Sequence, residues 1–207
     1  MIRNIIFDLG GVLLNLGMEK TSRAFRDLGM KDFDAHFTQA KQSGVFDAFD
    51  CGKISPAEFR SSLKKHLPET VTDGQIDFAW NAMLLDLPPE RLELLQSLGK
   101  KYRLFLLSNT NEIHVAAFSA YLENTFGKSD FSDYFEKWYY SCRIGMRKPN
   151  AEIFDFVLRE NKLEANETLF IDDSPQHLTG ANLCGINSLL LNPGENIISL
   201  LEKEELI

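Results

Sequence analysis

Apolar positions along the chain fall into two textures. Short runs of β-forming residues, charged only at Arg103, occur at Ile5 to Phe7, Arg103 to Leu107, Trp138 to Ser141, Thr168 to Ile171 and Ser188 to Leu191. Runs without polar alternation fit strands covered on both faces, the condition of a parallel sheet. Between them, apolar residues repeat at helical spacing: Leu92, Leu95 and Leu98 before Gly99, then Val115, Phe118, Tyr121 and Leu122. Ile153, Phe154, Val157 and Leu158 follow a capping Asn150, and a last segment opens at Pro175 and closes at Gly185. Strand and helix in alternation predict an α/β fold with a doubly wound parallel sheet.

Residues 15–86 carry no convincing strand. Thr21, Ala24, Phe25 and Leu28 share a helical face that stops at Gly29, and Phe33 and Phe37 keep the i, i+4 spacing. Ser55-Pro56-Ala57-Glu58 reads as a capping box with proline at the first helical position, followed by Phe59, Leu63 and Leu67 on one face. Ile76, Trp80, Met83 and Leu84 give another helix, closed by Pro88-Pro89. This helical block is expected to be a cap inserted into a core formed by residues 1–14 and 87–207. Phe46, Asp47, Phe49, Asp50 and Lys53 read as a loop before the Ser55 helix. Such a loop either reaches the site and selects substrate or is an exposed acidic turn.

The length of 207 residues is enough to bury a sizeable core without a disulfide or metal staple. A formal charge of −8, with no Lys/Arg run, argues against nucleic acid or an anionic membrane as partner and for a small ligand. No apolar run approaches the roughly 20 residues of a spanning helix, and Met1-Ile2-Arg3-Asn4 leads into a strand rather than a signal peptide. Cys51, Cys142 and Cys184 are odd in number and lie in no metal-like spacing, which suits a reducing compartment. A cytoplasmic monomer is expected.

Chemistry collects where the strands end. The first run ends on Asp8-Leu9-Gly10-Gly11, the second on Ser108-Asn109-Thr110, and the last but one on Asp172-Asp173-Ser174; Lys148-Pro149 follows the third. Carboxyl ends of parallel strands open on one crevice, where ligands bind. Asp8, Asp172 and Asp173 brought close would repel one another, which implies a cation, and hard oxygen ligands favour Mg²⁺. Ser108, the Asn109 amide and the helix N-terminus behind them can donate to a phosphate, and Lys148 adds a point charge. The set suits phosphoryl transfer to a carboxylate nucleophile.

In this order the four motifs resemble the haloacid dehalogenase (HAD) superfamily, in the subgroup with a helical cap after the first strand. The resemblance implies that Asp8 forms an aspartyl-phosphate, that Ser108 and Asn109 bind the transferring group, and that Lys148 bridges it and the nucleophile. It also implies a Mg²⁺ site made by Asp8, the Gly10 carbonyl, Asp172 and Asp173. One position departs from the pattern: phosphatases of this superfamily usually carry an acid/base Asp where this chain has Gly10. Phe-Asp-Leu-Gly-Gly-Val, Ser-Asn-Thr-Asn and Gly-Met-Arg-Lys-Pro are similar to the bacterial α-glucose-1-phosphate phosphatase branch, which also lacks that Asp. The implied activity is a Mg²⁺-dependent phosphatase of a small phosphorylated metabolite such as a hexose 1-phosphate. The alternatives are a phospholigand-binding protein with little catalysis and a 2-haloacid dehalogenase; Asp172 and Asp173 argue against the last, because they would repel an anionic acid. A phosphomutase ranks low, since Gly10 removes the group that would shuttle its protons. His177 and His114 stand as candidates to replace the missing acid/base, beside the plainer reading as partly exposed helix histidines.

Overall fold

In the computed structural model, which describes residues 1–36 and 44–207, the sheet has five parallel strands. They are β1 (Asn4–Phe7), β2 (Arg103–Ser108), β3 (Lys137–Tyr140), β4 (Thr168–Asp172) and β5 (Asn187–Leu190), in the order β3-β2-β1-β4-β5. The expected runs are therefore strands, and the first one, carrying Asp8, is central. Phe7 lies level with Leu106 on β2 and with Ile171 on β4. That register puts Asp8, one residue further, beside the end of β4.

Between β1 and β2 lie α1 (Met18–Asp27), α2 (Phe33–His36), α3 (Gly44–Asp50), α4 (Pro56–Lys64), α5 (Asp73–Asn81) and α6 (Pro89–Leu98). The rest are α7 (Glu112–Phe126), α8 (Ser141–Ile144), α9 (Ala151–Asn161), α10 (Pro175–Leu183) and α11 (Ile197–Lys203). Successive strand residues face opposite layers. Ile5 and Phe7 pack with Leu95, Leu98, Val115, Leu200 and Leu201 of α6, α7 and α11. Ile6 packs with Ile153, Phe154 and Ala181 of α9 and α10. Both faces are thus covered, as uncharged strands require.

Helices α1 to α5 have a core of their own. Phe25, Phe33, Phe46, Phe49, Phe59, Ile76 and Trp80 are buried together, with Ile113 of α7 joining from the sheet side. Phe25 stacks on Phe33 at 4.4 Å and Phe49 on Phe59 at 4.2 Å between ring centroids. The Ser55 capping box forms as expected, and Thr72 makes a second one with Gln75. The chain reaches and leaves these helices side by side. Asn15 N–H bonds the Asp86 carbonyl, Leu85 N–H the Asn15 carbonyl and Gly17 N–H the Met83 carbonyl, with Leu16 bridged antiparallel to Leu84.

Two local expectations change. The segment around Phe46 is α3 rather than a loop, because Phe46, Phe49 and Asp50 all turn inward at helical spacing. The Trp80 helix ends at Asn81, so Met83 and Leu84 belong to the returning linker. Phe37 lies outside the described residues. No helix among the described residues is long and apolar enough to cross a membrane, and the three cysteines are free thiols.

Candidate active site

Asp8 follows the last residue of β1, with its N–H bonded to the Ile171 carbonyl of the neighbouring strand. Its Oδ1 accepts the Leu9 N–H at 2.7 Å and lies 2.9 Å from the Lys148 Nζ. Lys148 is completely buried, and the same ammonium donates to Asp172 Oδ2 at 2.6 Å. Burial alone would push this lysine down; Asp172 and Asp8 outweigh it and hold it above its ordinary value. Its position is fixed from behind. The Asn109 side chain accepts the Lys148 N–H and donates to the Lys148 carbonyl, both at 2.9 Å.

That clasp takes the Asn109 side-chain oxygen and one N–H of its amide, leaving the second N–H and the main chain to offer a ligand in the cleft that Asn109 lines. Asp172 is held on several sides, and it lies with Asp8 and His177 in a group whose ligand atoms all stand within 4.8 Å of one another. Its buried carboxylate takes Lys148 Nζ, the Ser174 N–H at 2.8 Å and His177 Nδ1 at 2.9 Å. These bonds brace Lys148 and the start of α10, while Asp173 lines the cleft. Burial raises the Asp172 carboxyl, but Lys148 and the His177 bond outweigh it and leave it at about 2. Burial dominates at Asp8; Lys148 pulls down, Asp172 and Asp173 add to the rise, and the carboxyl is pushed up to about 8.

Asp8 and Asp172 share the Lys148 ammonium and Asp173 adds a third carboxylate close to Asp8, a formal excess of negative charge that a divalent cation fits. Asp173 is seated for it by Gly11. There φ is +79°, and a Cβ would stand 2.1 Å from Asp173 Oδ2, so only glycine lets the carboxylate lie against this loop. Gly10 tells a different story. A Cβ there would meet Leu16 Cδ1 at 2.7 Å, so an apolar side chain covers the place where an acid/base would stand.

The cleft has about 820 Å³ of space continuous with solvent. Asp8, Ser108, Asn109 and Asp173 line its floor, and Asp50 and Trp80 reach it from the helical segment. Ser108 is buried at the end of β2, as expected, and Asn111 caps α7 through the His114 N–H. Arg147 also lines the cleft and pairs with Asp47 of α3 at 2.5 Å. Sequence reasoning missed Asn111 as a site residue and gave Arg147 no role of its own. The first was legible as a helix cap; the second, next to Lys148, had no periodicity to mark it.

Both histidines line the cleft; His177 is a partly exposed residue of α10, as the plainer reading has it, whereas His114 is buried on α7. His177 is largely buried against Asp172, and burial holds it below its ordinary value. His114 stacks on Trp80 at 4.8 Å, with Nε2 3.2 Å from the Trp80 carbonyl and Nδ1 3.3 Å from Asn111 Nδ2. Nε2 donates and Nδ1 accepts, which assigns the neutral tautomer. Burial brings this histidine down to about 4, against a slight rise from the Trp80 carbonyl. Between about pH 4 and 6.5 the unfolded chain then binds a proton that the folded chain does not. Stability falls as pH drops through that window, by about 3 kcal/mol in full. His114→Gln is expected to lose less than wild type between pH 7.5 and 4.5 in denaturant midpoints; equal losses would remove His114 from this role.

Comparison with known proteins decides the family. Residues 2–185 match the haloacid dehalogenase-like hydrolases. This chain belongs to that family. It is 34% identical over 178 residues to a D-ribitol-5-phosphate phosphatase of Bacteroides thetaiotaomicron, covering 86% of each chain. A HAD-family enzyme of Bacteroides thetaiotaomicron, solved with magnesium and inorganic phosphate, superposes with a TM-score of 0.86 at 38% identity, over 97% of this chain and 99% of the other. A HAD-like family hydrolase from Porphyromonas gingivalis gives 0.89 at 34% identity, over 99% and 98%. An L-2-haloacid dehalogenase, 15% identical, shares the fold alone. The expected fold, family and enzyme class, and magnesium as the metal, agree with these relatives.

Proposed function

We propose that this protein is a Mg²⁺-dependent phosphatase of a small sugar or polyol monophosphate, acting through an aspartyl-phosphate on Asp8. The observation that carries the reading is the buried Asp8 carboxylate held by Lys148 at 2.9 Å in a cleft that also presents Ser108. The ribitol phosphate substrate named for the 34% identical relative supports the substrate class.

Leu9 N–H and Lys148 both address Asp8 Oδ1, so Oδ2 is the attacking oxygen. It forms a bond to phosphorus as the bond to the substrate oxygen breaks, and the alcohol leaves with a proton from solvent. Water then attacks the same phosphorus as the bond from phosphorus to Asp8 Oδ2 breaks, its proton passing to solvent, which releases inorganic phosphate and restores the carboxylate. Lys148 stays charged throughout and orients Asp8, while Ser108 and the start of α7 donate to the phosphoryl oxygens. Asp8, Asp173 and the Gly10 carbonyl would hold Mg²⁺, with Asp172 bracing from behind; the ion offsets charge on the carboxylates and the phosphate. Residues 15–86 act as the cap, whose closure over the cleft would limit the access of bulk water during transfer. Gly10 provides no acid for the leaving oxygen, so acidic leaving groups such as an anomeric hydroxyl gain most.

Phosphate release from ribitol 5-phosphate, glucose 1-phosphate, glucose 6-phosphate and p-nitrophenyl phosphate, with Mg²⁺ and with EDTA, tests the proposal. Release in Mg²⁺ that chelation abolishes is the expected result. Phosphorylated ligands that raise the melting temperature without turnover would instead make this a binding protein.

A further inference from the structure

Resting on the Asp8 chemistry above, we propose a further substrate class: the same cleft hydrolyses monophosphates of unbranched apolar primary alcohols, whose carbon chain lies on a wall made by the paired linkers on either side of α1 to α5. Leu14, Leu16, Met18, Met83 and Leu84 all line the cleft that holds Asp8 and Ser108. They are contiguous because the linkers pair. Asn15 and Gly17 carry the main-chain bonds to Asp86, Leu85 and Met83, and Leu16 is bridged antiparallel to Leu84 between them. Alternation along an extended chain puts Leu14, Leu16 and Met18 on one face. Asn15, on the other face, spends its side chain on Asp86 at 3.1 Å.

This wall offers little to a hydroxyl. Its side chains carry no donor, and no acceptor stronger than a thioether sulfur. The main-chain N–H and carbonyl of Leu14 are taken by Leu9 and Gly11, and those of Asn15 by Asp86 and Leu85. A methylene laid on the wall exchanges water for apolar surface, whereas a hydroxyl laid on it loses water without a partner. Leu14 and Met83 are buried, while Leu16, Met18 and Leu84 keep part of their surface open. Open apolar surface beside a phosphate site is what an alkyl chain covers, and methionine adjusts to chains of different shape. The wall also starts close to the chemistry. Leu16 Cδ1 lies 2.7 Å from where a Cβ on Gly10 would stand, two residues beyond the nucleophile. The carbons next to the departing oxygen therefore meet Leu16, and the far end of the chain meets Met18. A polyol lays its C–H face on the same wall, so the two classes share one site.

The test is a chain-length series of ethyl, butyl and hexyl phosphate with Mg²⁺, read as phosphate release. Wild type is expected to gain about threefold in kcat/KM per added methylene, through KM more than kcat. Met18→Ser and Leu16→Ser are each expected to pull that gain down to about twofold or less and to leave ethyl phosphate within about fivefold of wild type, whereas Met18→Leu is expected to keep the gain. A flat series in wild type would overturn the proposal, and so would a slope that both serine variants leave unchanged. Thermal-shift titrations of the same three phosphates on Asp8→Asn and on Asp8→Asn/Met18→Ser read the chain-length preference without turnover. Absence of phosphate release from every ester would overturn the function above, while the slope in binding would still decide for or against the wall.

Discussion

Asp8→Asn is expected to lower kcat roughly 10⁴-fold or more on every phosphate ester, while the protein stays folded and binds the same ligands. The substitution keeps the shape of the side chain and replaces a carboxylate oxygen, so it removes the nucleophile and little else. Asn can still accept the Leu9 N–H and the Lys148 ammonium through its one carbonyl oxygen, the two bonds that hold Asp8 Oδ1. The amide nitrogen then occupies the position of Oδ2 and has no lone pair to give to phosphorus. Lys148 keeps Asp172 as its counter-charge, so the substitution does not leave the buried ammonium unanswered. Single-turnover phosphate release and a circular dichroism melt make the measurement. A variant that retained more than a few per cent of the wild-type rate would take the nucleophile role from Asp8.

Much of the frame was written in the strand runs. Ile5 to Phe7 and Leu169 to Ile171 carry no charge over their length because both faces are covered, and a polar residue could be tolerated only where the strand emerges at the edge. Asp8, Ser108 and Asp172 stand at such ends, so the crevice could be read from order alone. The division of labour inside it could not. Asp172 and Asp173 are neighbours in sequence, yet alternation turns the first inward to Lys148 and leaves the second against Gly11, a difference that depends on where the strand stops. The clasp that the Asn109 side chain makes on the Lys148 backbone joins residues 39 apart and has no trace in the local pattern. Helix α3 was hidden because Gly44 starts it and acids punctuate it; tertiary burial of Phe46 and Phe49 overrides that weak local preference. The chain of bonds joining Asp50, Asn111, His114 and Trp80 spans residues far apart in sequence, and no pattern links them before the chain is folded.

Lys148→Met is expected to destabilise the metal-free protein by about 3 to 5 kcal/mol and to cut turnover as well. Methionine fills a similar volume next to Phe170, over whose ring the ammonium sits at 5.2 Å, so the loss is one of charge more than of packing. The charge is what the site depends on. With Lys148 gone, the completely buried Asp172 keeps the Ser174 N–H and His177, and Asp8 keeps the Leu9 N–H, but two carboxylates face each other with no cation between them. Burial then pushes both carboxyls up without the opposing pull that now acts on each. Denaturant midpoints in EDTA and in Mg²⁺ separate this account from ordinary core disruption. Mg²⁺ is expected to recover part of the lost stability in the variant and to give it a larger gain than wild type, because the ion offsets the same carboxylates that lost their lysine. Activity is not expected to return with it, since Asp8 loses the ammonium that aligned it, although the Asn109 clasp on the backbone of residue 148 is kept. If the variant melted like wild type in EDTA, the three-way arrangement of Asp8, Lys148 and Asp172 would have no energetic weight, and the positioning of the nucleophile would have to come from the Leu9 amide alone.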